Sequence, residues 1–135
     1  MKFTVKYLFY GSIIALLVSV SACKNDKAIT PTPTITIDIK SPMGAGSYQH
    51  GDTVKIDVEV TSDVDLHGYE WTIKTKPGGV ELASSDEHVH GKTFTINDVY
   101  INNVTSTTEV ELEIVAEVDH EGNERQKTVS FTLNQ

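Results

Sequence analysis

Cysteine is nearly absent from this chain of 135 residues, Cys23 being the only one. A single Cys excludes a disulfide within one copy and excludes a thiolate metal cluster. No stretch spaces its apolar residues as an amphipathic helix does, and no internal repeat is visible. There is no Gly-x-Ser-x-Gly elbow, no Gly-rich phosphate loop and no His-Glu-x-x-His helix. The familiar signatures of hydrolases, nucleotide-binding enzymes and zinc proteases are therefore missing. Basic residues are also few, 11 against 19 acidic, for a formal net charge of −8. Such a chain is not expected to bind nucleic acid through its phosphates. The longest uncharged run, 7–23, is shorter than the roughly 20 apolar residues that a membrane span requires.

That run has a different use. Lys2 and Lys6 precede it, Ile13-Ile14-Ala15-Leu16-Leu17-Val18 is its most apolar part, and it ends in Ser19-Val20-Ser21-Ala22-Cys23. A basic start, a short apolar stretch and small residues before a cut site make an export signal. Val20, Ser21, Ala22 and Cys23 resemble the lipobox of bacterial lipoproteins. The resemblance implies that residues 1–22 are removed and that Cys23 is lipidated and becomes the first residue of the mature chain. Several acyl chains, each worth about 0.8 kcal/mol per buried CH₂, make a durable membrane anchor. The expected location is the bacterial cell envelope, at the outer membrane, facing the periplasm or the cell surface. Lys24-Asn25-Asp26 fits either a surface-export tag or a solvated tether. Residues 23–33 read as lipidated Cys plus tether, because Thr30-Pro31-Thr32-Pro33 favours an extended, fairly stiff linker.

Residues 34–135 alternate with period two. Val54-Lys55-Ile56-Asp57-Val58-Glu59-Val60 and Val110-Glu111-Leu112-Glu113-Ile114 are the clearest cases. Such alternation marks strands with one buried face. Gly and Pro punctuation then predicts seven strands, at 34–40, 53–62, 69–75, 80–85, 92–99, 107–119 and 125–133. Seven short strands with Trp71 on the third predict an all-β, Ig-like antiparallel β-sandwich. With no Cys pair to bridge its sheets, burial alone must hold it.

The five His, at 50, 67, 88, 90 and 120, all fall between predicted strands. Connections in an antiparallel sandwich alternate between its two ends. His67, His88, His90 and His120 are thereby assigned to one pole and His50 to the other. In an extended segment both rings of His88-Val89-His90 point the same way. Four imidazole nitrogens suit Zn²⁺ or Cu²⁺. Asp65, Asp86, Glu87, Asp119 and Glu121 are candidate acceptors that orient the rings, or direct ligands. Ca²⁺ is a narrower alternative, because Asp63, Asp65, Asp86, Asp119, Glu121 and Asn123 offer the oxygens it prefers. The same acidic residues are ordinary turn formers, and isolated loop His are commonly just solvated.

Leu66-His67-Gly68-Tyr69-Glu70, Glu87-His88-Val89-His90-Gly91 and Asp119-His120-Glu121-Gly122-Asn123 together resemble uncharacterised bacterial lipoproteins with an Ig-like domain. The resemblance implies the fold and the joint presence of the His segments, and no activity. Two functions from different classes are expected. One is a membrane-anchored metal-binding lipoprotein that captures or delivers Zn²⁺ or Cu²⁺. The other is a non-catalytic module that binds a protein or glycan partner, with Tyr48, Tyr69 and Tyr100 as candidate contacts. Ser84-Ser85-Asp86 beside His88 contains the residue types of a hydrolase triad, but its spacing fixes no geometry. An enzyme is not expected.

Overall fold

The computed structural model describes residues 32–118 and 123–135. The expected signal segment, Cys23 and most of the expected tether lie outside the described residues, as do Asp119, His120 and Glu121.

All regular structure among the described residues is β. The strands are β1 (Ile35–Ser41), β2 (Ser47–Tyr48), β3 (Thr53–Leu66), β4 (Gly68–Lys76), β5 (Glu81–Glu87), β6 (Gly91–Ile101), β7 (Thr108–Glu117) and β8 (Glu124–Leu133). They form two sheets, one ordered β1-β3-β6 and the other β2-β8-β7-β4-β5. All pairings are antiparallel except that of β2 with β8. This is the Ig-like sandwich that the alternation predicts, with one strand more. The pair Ser47–Tyr48 is too short to produce a period. It exists because it lies along β8, where Tyr48 packs edge-on against Phe131 at 5.5 Å.

The core follows directly from the alternation. Val54, Ile56, Val58 and Val60 on β3 are buried, as are Val110, Leu112, Ile114 and Ala116 on β7. Their outward neighbours are polar apart from Val115, so each strand turns one face to the other sheet and one to water. Trp71 fills the space between the sheets, and its indole N–H donates to Asp98 Oδ2 on β6 at 3.1 Å. That bond links β4 in one sheet to β6 in the other.

Several boundaries differ from those expected, and two of them matter for the site. The third strand element, β3, runs to Leu66 rather than ending near residue 62, because its ladder with β6 resumes after a bulge at Leu66↔Gly91. Likewise β5 continues to Glu87, because its ladder with β4 extends to Tyr69↔Glu87. Asp65, Asp86 and Glu87 are therefore strand residues, and the β3–β4 connection is His67 alone.

Candidate metal centre

His67 is the single residue by which the chain leaves one sheet and enters the other. The β5–β6 connection, His88-Val89-His90, makes the return crossing at the same end of the sandwich. Strand register explains why these segments meet. Leu66, just before His67, pairs with Gly91, just after His90. Tyr69, two residues after His67, pairs with Glu87, just before His88. His90 and His88 thus approach His67 from its two flanks. Gly91, at φ 142°, supplies the backbone conformation that starts β6 there.

One ligand atom from each of His67, His88 and His90 falls within 4.8 Å of the others. The ring centroids are 6.2 Å apart for His67–His88, 5.1 Å for His67–His90 and 4.8 Å for His88–His90. A tetrahedral Zn²⁺ with bonds of about 2.0–2.1 Å spaces its nitrogens about 3.3 Å apart. Closing the set onto one ion needs a contraction of at most roughly 1.5 Å. His67 is half-buried, and His88 and His90 are exposed. Among the described residues this is the only group of three or more His, Cys, Asp or Glu side chains placed to share an ion.

The other nominated residues are distributed differently. His120, Asp119 and Glu121 lie outside the described residues, so their relation to the three rings is not part of the geometry. The hydrogen bonds that lead to that segment are clear. His67 N–H donates to Glu117 O at 2.8 Å, and Val118 N–H donates to Asn123 O at 2.8 Å. His50 sits apart, with its Nδ1 3.2 Å from Val104 O. Glu87 turns its carboxylate to Tyr69, whose hydroxyl donates to Oε2 at 2.5 Å. Asp86 is opposite Glu70 in the same ladder, so alternation places its side chain on the opposite sheet surface from Glu87. Asp65 is an exposed residue of β3. Asp63 accepts from Thr34 N–H at 3.0 Å, as a strand-end acceptor does. Asp63, Asp65 and Asp86 do not form a shared oxygen cage among the described residues. The donors that do converge are nitrogens, which suit Zn²⁺ or Cu²⁺ better than Ca²⁺.

The triad-like residues Ser84, Ser85 and Asp86 are consecutive on β5. Ser84 and Ser85 project to opposite faces of β5, and Ser84 Oγ donates to Glu81 Oε1 at 2.6 Å. The three candidate contact tyrosines are not exposed either. Tyr100 is buried, and Tyr48 and Tyr69 are half-buried. Burial, and secondarily the bond to Glu87, pushes the Tyr69 phenol up to about 12.

Sequence inspection alone did not single out the Tyr69–Glu87 pair, the Asp98 acceptor of Trp71 or Asn102. The first depends on a register shift between Ile73 and Lys74 in the β4–β5 ladder, which no residue pattern announces. Asn102 is fully buried, yet its segment reads as ordinary turn punctuation.

No family model matches this chain, and no curated protein does. Solved structures do. The solution structure of the CARDB domain of the PF1109 protein from Pyrococcus furiosus overlaps with a TM-score of 0.52 at 12% identity, covering 76% of this chain and 95% of that one. A crystal structure of the same domain, described as a complex with di-metal ions, overlaps with a TM-score of 0.45 at 12% identity, covering 77% and 96%. The first likeness establishes a shared fold.

Proposed function

We propose that this chain is a non-catalytic Ig-like module of the bacterial cell envelope, held to the membrane by lipid on Cys23, whose histidine pole binds Zn²⁺ or Cu²⁺. The observation that carries the metal assignment is the convergence of His67, His88 and His90 from two separate crossings to within 4.8 Å. His120 is the proposed fourth ligand, on the strength of its sequence context alone. A site whose exposed members are His88 and His90 is suited to capturing and passing on an ion rather than entombing it.

Calorimetric titration with Zn²⁺, Cu²⁺ and Ca²⁺ tests this, using residues 24–135. One-to-one binding of Zn²⁺ or Cu²⁺ that His88→Ala/His90→Ala abolishes is the expected result. Weak, unsaturable uptake would refute the metal assignment. For the anchor, Cys23→Ser in the full chain should move the protein from the membrane fraction to the soluble one.

A second function is favoured by one feature. Val99 and Ile101 are 55% and 61% exposed on the outward face of β6, an edge strand. An apolar, hydrogen-bonding edge is the geometry for strand addition by a protein partner. Binding to an envelope protein that survives chelation and is lost in Val99→Lys/Ile101→Lys would favour this function over metal handling. The same variants should leave glycan binding, if glycan is the ligand, unchanged.

A further inference from the structure

We propose that Tyr69 and Glu87 are positioning residues that clamp the three-histidine pole, and that Gly68 provides the clearance that lets the clamp close. This rests on the assignment of the pole as a metal site.

The clamp touches β4, β5 and β6, three of the four strands that flank the ligands. Tyr69 lies on β4, two residues after His67. Its hydroxyl donates to Glu87 Oε2 at 2.5 Å, and Glu87 ends β5 immediately before His88. Its ring stacks on Phe94 of β6, with centroids 5.2 Å apart and planes inclined by 26°. Phe94 lies four residues after His90 on the opposite sheet. One Tyr side chain therefore joins three of the strands that flank the three rings. The hydrogen bond fixes β4 against β5 within one sheet, and the stack fixes both against β6 in the other.

The close approach of the two chains at this point has its own requirement. A Cβ on Gly68 would lie 2.7 Å from Glu87 O and 3.5 Å from His88 Cα. The nearer atom is backbone, which cannot swing aside. Any side chain at 68 would drive β5 away from β4 beside both His67 and His88. Supporting residues around metal sites hold the ligands in the geometry that the ion requires, and their loss commonly weakens affinity by about 10–100-fold.

The test uses the purified chain loaded with Co²⁺, whose visible absorption reports ligand geometry, together with competition against Zn²⁺. Tyr69→Phe keeps the ring and removes only the hydroxyl. It should weaken binding by about tenfold or more and alter the Co²⁺ spectrum. Tyr69→Phe/Glu87→Gln should be no weaker than Tyr69→Phe, because the two groups act through one bond. Hydrogen exchange in the metal-free chain supplies a second readout. Amides at 88–91 should exchange faster in Tyr69→Phe, while those of β7 stay protected. A wild-type chain that binds no metal would remove the metal assignment, and the clamp would then stand or fall on exchange at 88–91. Unchanged exchange there overturns the clamp in either case. So does wild-type binding with a Tyr69→Phe affinity and spectrum that match it.

Discussion

Individual polar residues decide much of this domain's specificity. Asn102 is wholly buried, and its side-chain amide donates to Tyr48 O at 3.1 Å and to Asn134 O at 2.8 Å. Its Oδ1 accepts from Val104 N–H at 3.2 Å. A single amide thus joins β2, the C-terminal segment and the chain after β6. Asn102→Ala would take that partner from Asn134 O and Val104 N–H, while Tyr48 O keeps its bond from Asn134 N–H, and leaving a buried polar group unpaired costs about 1–3 kcal/mol. Urea unfolding should show destabilisation of at least that size. Tyr69 predicts a pH effect. Its phenol is held near 12 in the folded chain, above its ordinary value of 10.0. Below the ordinary value both folded and unfolded chains keep the proton, so this contribution is fully present. As pH rises from there through the folded value, the unfolded chain loses its proton first and stability falls. Urea midpoints at about pH 9 and pH 11 should therefore drop further for the wild-type chain than for Tyr69→Phe.

At the level of strands, the pole is made by ladder register. A shift of one residue between β4 and β5 would separate Tyr69 from Glu87 and turn every side chain of one strand to its other face. Gly68 is the point where this register is most exposed to disruption. Gly68→Ala should destabilise the domain by roughly 1–3 kcal/mol, in the range of overpacked cores, and should weaken metal binding as well. Thermal melting and Zn²⁺ titration of that variant check the two effects separately. On the outer face of the same sheet, Lys74 pairs with Glu113, and Lys76 lies 3.8 Å from Glu109 and 3.6 Å from Glu111. These are surface pairs of modest worth, and they partly offset an otherwise acidic face.

For the whole molecule, the notable fact is that no disulfide ties the two sheets. The three histidines lie on the crossings between those sheets, so a bound ion would cross-link the connections that a disulfide leaves unjoined here. Binding to the folded chain alone stabilises it by about 2.7 kcal/mol at 100 times Kd. For a domain of this size that is a rise in Tm on the order of 10 °C. Scanning calorimetry should show the rise with Zn²⁺, its reversal by chelator and its absence in His88→Ala/His90→Ala. The rise should shrink on acidification, because coordination requires neutral imidazole.

The strands were legible in the sequence because one-sided burial imposes a period of two, as in Val54 to Val60 and Val110 to Ile114. The central position of Trp71 followed from the same pattern. That His67, His88 and His90 share one end of the molecule was legible too, because antiparallel connections alternate between ends. Their approach to within 4.8 Å was not, because it depends on the bulge that returns β3 to its ladder at Leu66↔Gly91 and on the register Tyr69↔Glu87. Bulges and pairings between distant strands arise from hydrogen bonds to partners that no local pattern names. The strand β2 and the buried Asn102 belong to the same class, since each is defined by residues elsewhere in the chain. Local hydrophobic periodicity determined which residues face inward, and only the closed sandwich determined which of them meet.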